Sequence, residues 1–205
     1  PSSAASDVYK RQDLIQRAIK FEQQNFLYIK ALGSPWVQFN GHTLNLSHRQ
    51  IEILCILALH PHGIGLEELH YALYGERSVS LKTLKAELSQ LRSLLPHSIE
   101  PRIYRLSCEV QCDFLSAEQS LNANLISSTF SLYKGSFLSK SESPLLSTWR
   151  HCFDARLSQL IYQIKDIDQL LRIIGQTHDR IDAVQRLLEL LPQDSIHRNY
   201  FSNLI

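Results

Sequence analysis

The sequence predicts an α+β fold: a small N-terminal β-meander, three helices and a strand-like turn, followed by an all-α helical region. Three observations carry this. The hydrophobic period changes from two to about 3.6 at Ser47. Asn40-Gly41, between two short aromatic and branched runs, is a strong hairpin signal. From position 113 onward, every apolar pattern is helical.

Each element follows in order. Phe26-Leu27-Tyr28-Ile29-Lys30-Ala31-Leu32 reads as a strand broken by Gly33-Ser34-Pro35, and Trp36-Val37-Gln38-Phe39 resumes it. Thr43-Leu44-Asn45-Leu46 completes the meander beyond the Asn-Gly turn. Ser47 is placed to cap the first helix, because its hydroxyl can accept an amide of the first turn. Ile51, Leu54, Cys55, Ala58 and Leu59 then repeat at i, i+3, i+4, i+7 and i+8, one apolar helical face that Pro61 and Gly63 end. Leu66, Leu69, Leu73 and Tyr74 mark a second helix, stopped at Gly75. Leu81, Leu84, Leu88, Leu91 and Leu95 mark a third, stopped at Pro96.

At 100° per residue the leucines of this third helix occupy one side, with Lys82, Ala86, Ser89 and Ser93 opposite. Lys85 and Arg92 flank that small-residue face on one edge, Thr83 and Gln90 on the other. Alanine and serine permit close approach, while cations and an amide suit phosphates and base edges. Pro101-Arg102-Ile103-Tyr104-Arg105-Leu106 reads as a strand that would serve as a wing.

Beyond it, 114–121 and 125–133 read as two short helices. A long helix carries Leu146, Trp149, Phe153, Leu157, Leu160, Ile161 and Ile164, and Gly175 and Pro192 divide the remainder. Trp149 and Phe153 are expected in the core.

The first twelve residues stand apart from this pattern. Asp7-Val8-Tyr9-Lys10-Arg11-Gln12 is what GATGTGTATAAGAGACAG encodes, and that DNA resembles a transposon end used to fragment samples for sequencing. Residues 1–12 are therefore expected to be a disordered adapter artefact, excluded from fold reasoning. The expected organisation is then a connecting helix over 13–25, a DNA-binding unit over 26–112 and a helical domain over 113–205. That last domain ends inside an unfinished helical pattern and is expected to be truncated.

Composition excludes several classes. Without the first twelve residues, 21 basic and 20 acidic residues become 19 of each, so any claim about nucleic acid must come from local placement. Between positions 81 and 106, five cations (Lys82, Lys85, Arg92, Arg102 and Arg105) face only Glu87 and Glu100. No apolar run reaches the length of a membrane span. The four cysteines lack the spacing of a small secreted scaffold, which makes a reduced cytoplasmic setting the expectation. His60, His62 and His70, and the Cys108/Cys112 pair, lack the spacing of structural zinc sites, so no metal is expected. No phosphate loop, dinucleotide fingerprint or nucleophile elbow is present. Neither a cofactor nor catalysis is expected.

The order of elements resembles the OmpR/PhoB-type winged helix-turn-helix, the output domain of many bacterial response regulators. Leu44-Asn45-Leu46-Ser47-His48-Arg49-Gln50-Ile51-Glu52-Ile53-Leu54 is similar to that family's entry into its first helix, and Leu88-Ser89-Gln90-Leu91-Arg92 to the centre of its recognition helix. The run over 32–157 resembles more closely the C-terminal output region of bacterial regulators with an N-terminal GAF sensor domain. The matching pieces are Leu73-Tyr74-Gly75-Glu76, Ala86-Glu87-Leu88-Ser89-Gln90-Leu91-Arg92, Pro101-Arg102-Ile103-Tyr104-Arg105-Leu106, Leu132-Tyr133-Lys134-Gly135 and Ser141-Glu142-Ser143-Pro144. Tyr133, Gly135 and Trp149-Arg150 are similar to positions of the bacterial transcriptional activator domain.

These resemblances imply a transcription regulator whose partner is double-stranded DNA. RNA polymerase, an upstream sensor domain and a second copy in a homodimer stand open as further partners. Ser47 and Arg49 would lie near the DNA backbone, and Lys82, Thr83, Lys85, Ser89, Gln90 and Arg92 would enter the major groove. Arg102 and Arg105 would hold phosphate or reach the minor groove. The rival is a protein–protein interaction module built on a winged helix that no longer binds DNA.

Overall fold

The computed structural model describes residues 25–203 apart from 178 and 194, without the side chains of 196 and 197. The 1–12 segment and the connecting helix expected over 13–25 lie outside the described residues, except for Asn25.

The meander forms as the sequence indicates, except that its third strand is His42–Leu44, with Asn45 and Leu46 outside it. Strands β1 (Phe26–Lys30), β2 (Trp36–Phe39) and β3 (His42–Leu44) pair antiparallel, with Leu27 opposite Phe39 and Val37 opposite Leu44. Asn40 and Gly41 both have positive φ, 49° and 82°, as a twist-matched two-residue hairpin turn demands. Alternation along β1 buries Leu27 and Ile29, while Tyr28 lies beside Trp36 on the other face.

Three helices follow: α1 (His48–Leu59), α2 (Leu66–Tyr74) and α3 (Leu81–Leu94). The cap expected at Ser47 is a full capping box, its hydroxyl accepting from Gln50 N and the Gln50 side chain accepting from Ser47 N. α3 buries Leu84, Leu88 and Leu91, whereas Leu81, expected on the same stripe, is 38% exposed in its first turn.

The wing differs from expectation. Residues 101–106 form no strand; they close a tight hairpin held by single bridges, Ile99 to Leu106 and Ile64 to Tyr104. Glu100 N donates to Arg105 O and Ser107 N to Ser98 O, and Arg102 at the tip takes φ +74°. Tyr104 and Leu106 bridge to different partners, Ile64 and Ile99, so no continuous ladder forms, and the fourth strand comes later. β4 (Glu109–Cys112) pairs parallel with β1, giving the sheet order β3-β2-β1-β4.

β4 runs directly into the helical region: α4 (Asp113–Asn122), α5 (Ile126–Leu132), α6 (Pro144–Gln163), α7 (Ile167–Gln176), α8 (Ile181–Leu190) and α9 (Ile196–Ser202). Gly175, expected to divide two helices, lies inside α7. The break falls at Thr177, whose hydroxyl donates back to Ile173 O. Phe153, Leu157, Leu160, Ile161 and Ile164 are buried, in one core cluster that runs through the winged portion and the helical region alike. No helix among the described residues is long and apolar enough to cross a membrane.

Two polar seams hold these halves together. Asp113, buried at the start of α4, accepts from the amides of Ala31 (2.8 Å), Leu32 (3.0 Å) and Phe114 (2.7 Å). Burial raises its pKa, against the lowering effect of those three amides. Leu138 N donates to Ala31 O beside it, and Gly33, with φ +79°, packs directly on Lys134 and Gly135.

The second seam is the Ser141-Glu142-Ser143-Pro144 stretch. Ser141 donates to the buried carboxylate of Glu52 in α1, and Glu142 pairs with Arg77 at 2.7 Å. Ser143 donates to Ala72 O at 2.7 Å and caps α6, with Pro144 in the first turn. These contacts are long-range, so the roles of the two serines could not be assigned from the sequence alone.

Candidate functional site

α3 places most of the expected residues on one exposed face. Lys82, Thr83, Lys85, Ala86, Ser89, Gln90 and Ser93 are all exposed, while the leucines beneath fix the helix to α1 and α2. Ser80 caps α3 by accepting from Thr83 N, and its hydroxyl lies 3.2 Å from that of Thr83, so Thr83 belongs partly to the cap.

Two further elements border this face, each through a specific contact. On one edge, Gln50 Nε2 donates to Gln90 Oε1 at 3.0 Å, joining α3 to the capped start of α1. Ser47, exposed there, accepts from Gln50 N at 3.2 Å, and a hydroxyl that accepts one bond can also donate one. On the other edge, the Arg92 guanidinium lies 6.0 Å from the centre of the Tyr104 ring, joining α3 to the wing. Arg102 is exposed at the wing tip. Arg105 pairs with Glu100 at 2.7 Å, a surface ion pair that partly offsets its charge.

Arg49 stands apart. Its Nη1 is 2.7 Å from Glu52 Oε2 and its guanidinium covers the Tyr74 ring at 4.6 Å. The side chain is thus engaged with the α1–α2 packing, and its carboxylate partner is the one that Ser141 bonds. His48 Nδ1 lies 3.5 Å from the same carboxylate. Glu87, on α3, is half-buried with one carboxylate oxygen enclosed, rather than projecting with the lysines.

Gln50 is the site residue that sequence patterning did not single out. It is 6% exposed and touches both the α1 cap and α3. The Ser-x-x-Gln spacing from Ser47 is the signal that would have found it.

Elsewhere, His60 Nδ1 meets Ile56 O at 2.8 Å and His70 Nε2 meets Val79 O at 2.7 Å, so each ring has a backbone partner. Among the described residues no group of His, Cys, Asp or Glu side chains is placed to hold a metal ion. An apolar groove of about 640 Å³ runs between α2 and α6, lined in part by Leu59, Tyr71, Leu145 and Trp149 and by no residue of α3.

No family model matches the chain. It is 28% identical over 153 residues to an "Uncharacterized 47.3 kDa protein in thcA 5'region" of Rhodococcus erythropolis, a match covering 74% of this chain and 35% of that protein. The chain thus spans about a third of the length of the curated relative it matches. Among solved structures it is similar to Mycobacterium tuberculosis EmbR in complex with a low affinity phosphopeptide. The TM-score is 0.51 with 16% identity, over 88% of this chain and 56% of that one. That likeness shows the fold, an α+β winged helix-turn-helix followed by an all-α helical region.

Proposed function

We propose that this chain is the DNA-binding output region of a transcription regulator, a binding module and not an enzyme. The observation that carries the reading is the exposed face of α3, bordered on one edge by the capped start of α1 and on the other by the wing. In this reading α3 enters the major groove. Ala86, Ser89 and Ser93 let its backbone approach, Lys82 and Lys85 meet phosphates, and Ser89 and Gln90 face base edges. Ser47 donates its hydroxyl to the backbone, and Arg102 takes a phosphate or reaches the minor groove. Arg49 is assigned to the α1–α2 packing in place of the DNA backbone, because Glu52 and Tyr74 already engage it. Arg105 contributes less than Arg102, because Glu100 offsets it. The Asp113 and Ser141–Ser143 contacts tie the helical region to the winged helix, an arrangement suited to relay the position of an upstream sensor domain or to meet RNA polymerase.

Substitution at the phosphate positions tests this. Lys85→Ala and Arg102→Ala should weaken binding to all duplexes by similar factors, and each should reduce the salt slope by about one. Unchanged slopes in both would favour the rival, in which the same small-residue face docks a protein.

A further inference from the structure

We infer that Gln90 reads a hydrogen-bond acceptor on a base edge, with guanine preferred at that position, because the α1 cap dictates which end of its amide faces outward. This rests on the DNA-binding reading above and specifies what that site selects.

One buried amide sets the orientation. Gln50 is 6% exposed, and its side chain meets two groups, Ser47 N at 2.9 Å and the Gln90 amide at 3.0 Å. Oxygen and nitrogen of a glutamine amide are assigned by their partners. Here one partner is unambiguous, because the backbone N–H of Ser47 can only donate. The Gln50 atom beside it is therefore the oxygen, and the atom facing Gln90 is the NH2 group. An NH2 group only donates, so Gln90 must turn its oxygen inward to accept. Its own NH2 is left as the outward group, on an exposed residue at the edge of the α3 face.

A free glutamine reads adenine by accepting from N6 and donating to N7 at once. A glutamine whose oxygen is held by Gln50 is poorly placed for that pairing and well placed to donate. In the major groove guanine offers two acceptors, O6 and N7, and cytosine offers only a donor. The capping box that starts α1 is thereby also a positioning device for base choice on α3, with Gln50 the positioning residue and Gln90 the reader.

The test is selection from a randomised duplex DNA pool by the whole chain, in wild-type, Gln50→Glu and Gln50→Leu forms, with circular dichroism melts on each. In the wild type one position should favour guanine over cytosine by about fivefold, the low end for a specific base contact. In the Gln50→Glu variant, assayed at a pH where the introduced carboxyl is ionised, that carboxylate can still accept from Ser47 N but cannot donate, so Gln90 should turn its NH2 inward and its oxygen out. Preference at that same position should then move to a donor base, cytosine or adenine, with the other positions unchanged. Gln50→Leu removes the constraint, and preference there should shrink below about twofold and admit adenine. If the glutamate variant does not fold, the leucine variant decides. Identical preferences in the wild type and the variants, or loss spread over every position, would overturn the inference. Salt-dependent binding without any selected sequence would overturn it while leaving the DNA reading intact. A chain that retains no duplex at all would overturn both.

Discussion

Trp149→Ala probes whether the helical region is a packed continuation of the winged helix. The indole stacks on Phe153 in its own helix, at 4.9 Å between centres and 14° between planes. It lies 4.5 Å from Phe137 in the α5–α6 loop and meets Phe114 of α4 edge-on at 5.3 Å. Phe114, Phe137 and Phe153 are fully or nearly fully buried, so truncation leaves a cavity lined by three rings. A completely buried aromatic would cost about 3–5 kcal/mol. Trp149 itself is half-buried, with part of the indole lining the apolar groove, which reduces the expected loss to about 2–4 kcal/mol. For a chain of this size that corresponds to a fall in melting temperature of about 5–15 °C. Far-UV circular dichroism and tryptophan fluorescence should follow one transition in both proteins, because the core cluster is continuous. An unchanged melting temperature, or a transition that splits so that the helices unfold separately, would refute the packing argument.

Two glycine substitutions should act in opposite directions. Gly33→Ala forces a side chain onto φ +79° and places its Cβ 2.3 Å from the Lys134 carbonyl oxygen, so urea unfolding should show a loss of about 2–4 kcal/mol. Gly175→Ala meets no atom within 4 Å inside α7 and should stabilise by about 0.5–1 kcal/mol. Thiol titration should find Cys152, which is exposed, reacting first, and Cys55 and Cys112, which are buried, reacting only on unfolding. Burial pushes the Cys112 thiol up to about 12 from 9.0, so the unfolded chain ionises first as pH rises. Stability from this thiol is complete below pH 9 and lost between 9 and about 12, about 1 kcal/mol of it by pH 10, measurable as a falling urea midpoint.

Local chemistry was legible in the sequence where the cause lies within a few residues. The Asn40-Gly41 turn, the Ser47 cap and the leucine face of α3 each depend on neighbours one helical turn or one hairpin away. Long-range partners were not legible. Arg49 sits at a position suited to phosphate, but Glu52 and Tyr74 engage its guanidinium, and Tyr74 belongs to another helix. The stretch 101–106 has strand composition, yet its partners supply only single bridges, and the real fourth strand forms where Glu109–Cys112 finds β1. Asp113 reads as an ordinary helix-start residue, and its role in holding the amides of Ala31 and Leu32 depends on a chain reversal of about eighty residues.

The salt dependence of duplex DNA binding tests the central claim most directly. Lys82, Lys85, Arg102 and Arg105 are exposed on the α3 and wing face, Arg105 paired with Glu100, and half-buried Arg92 lies against Tyr104. Three to five phosphate contacts give a slope of log K against log salt between about −2.7 and −4.5. A linear plot within that range, measured on the whole chain by fluorescence anisotropy, is the predicted result, and affinity that is absent or indifferent to salt would contradict it.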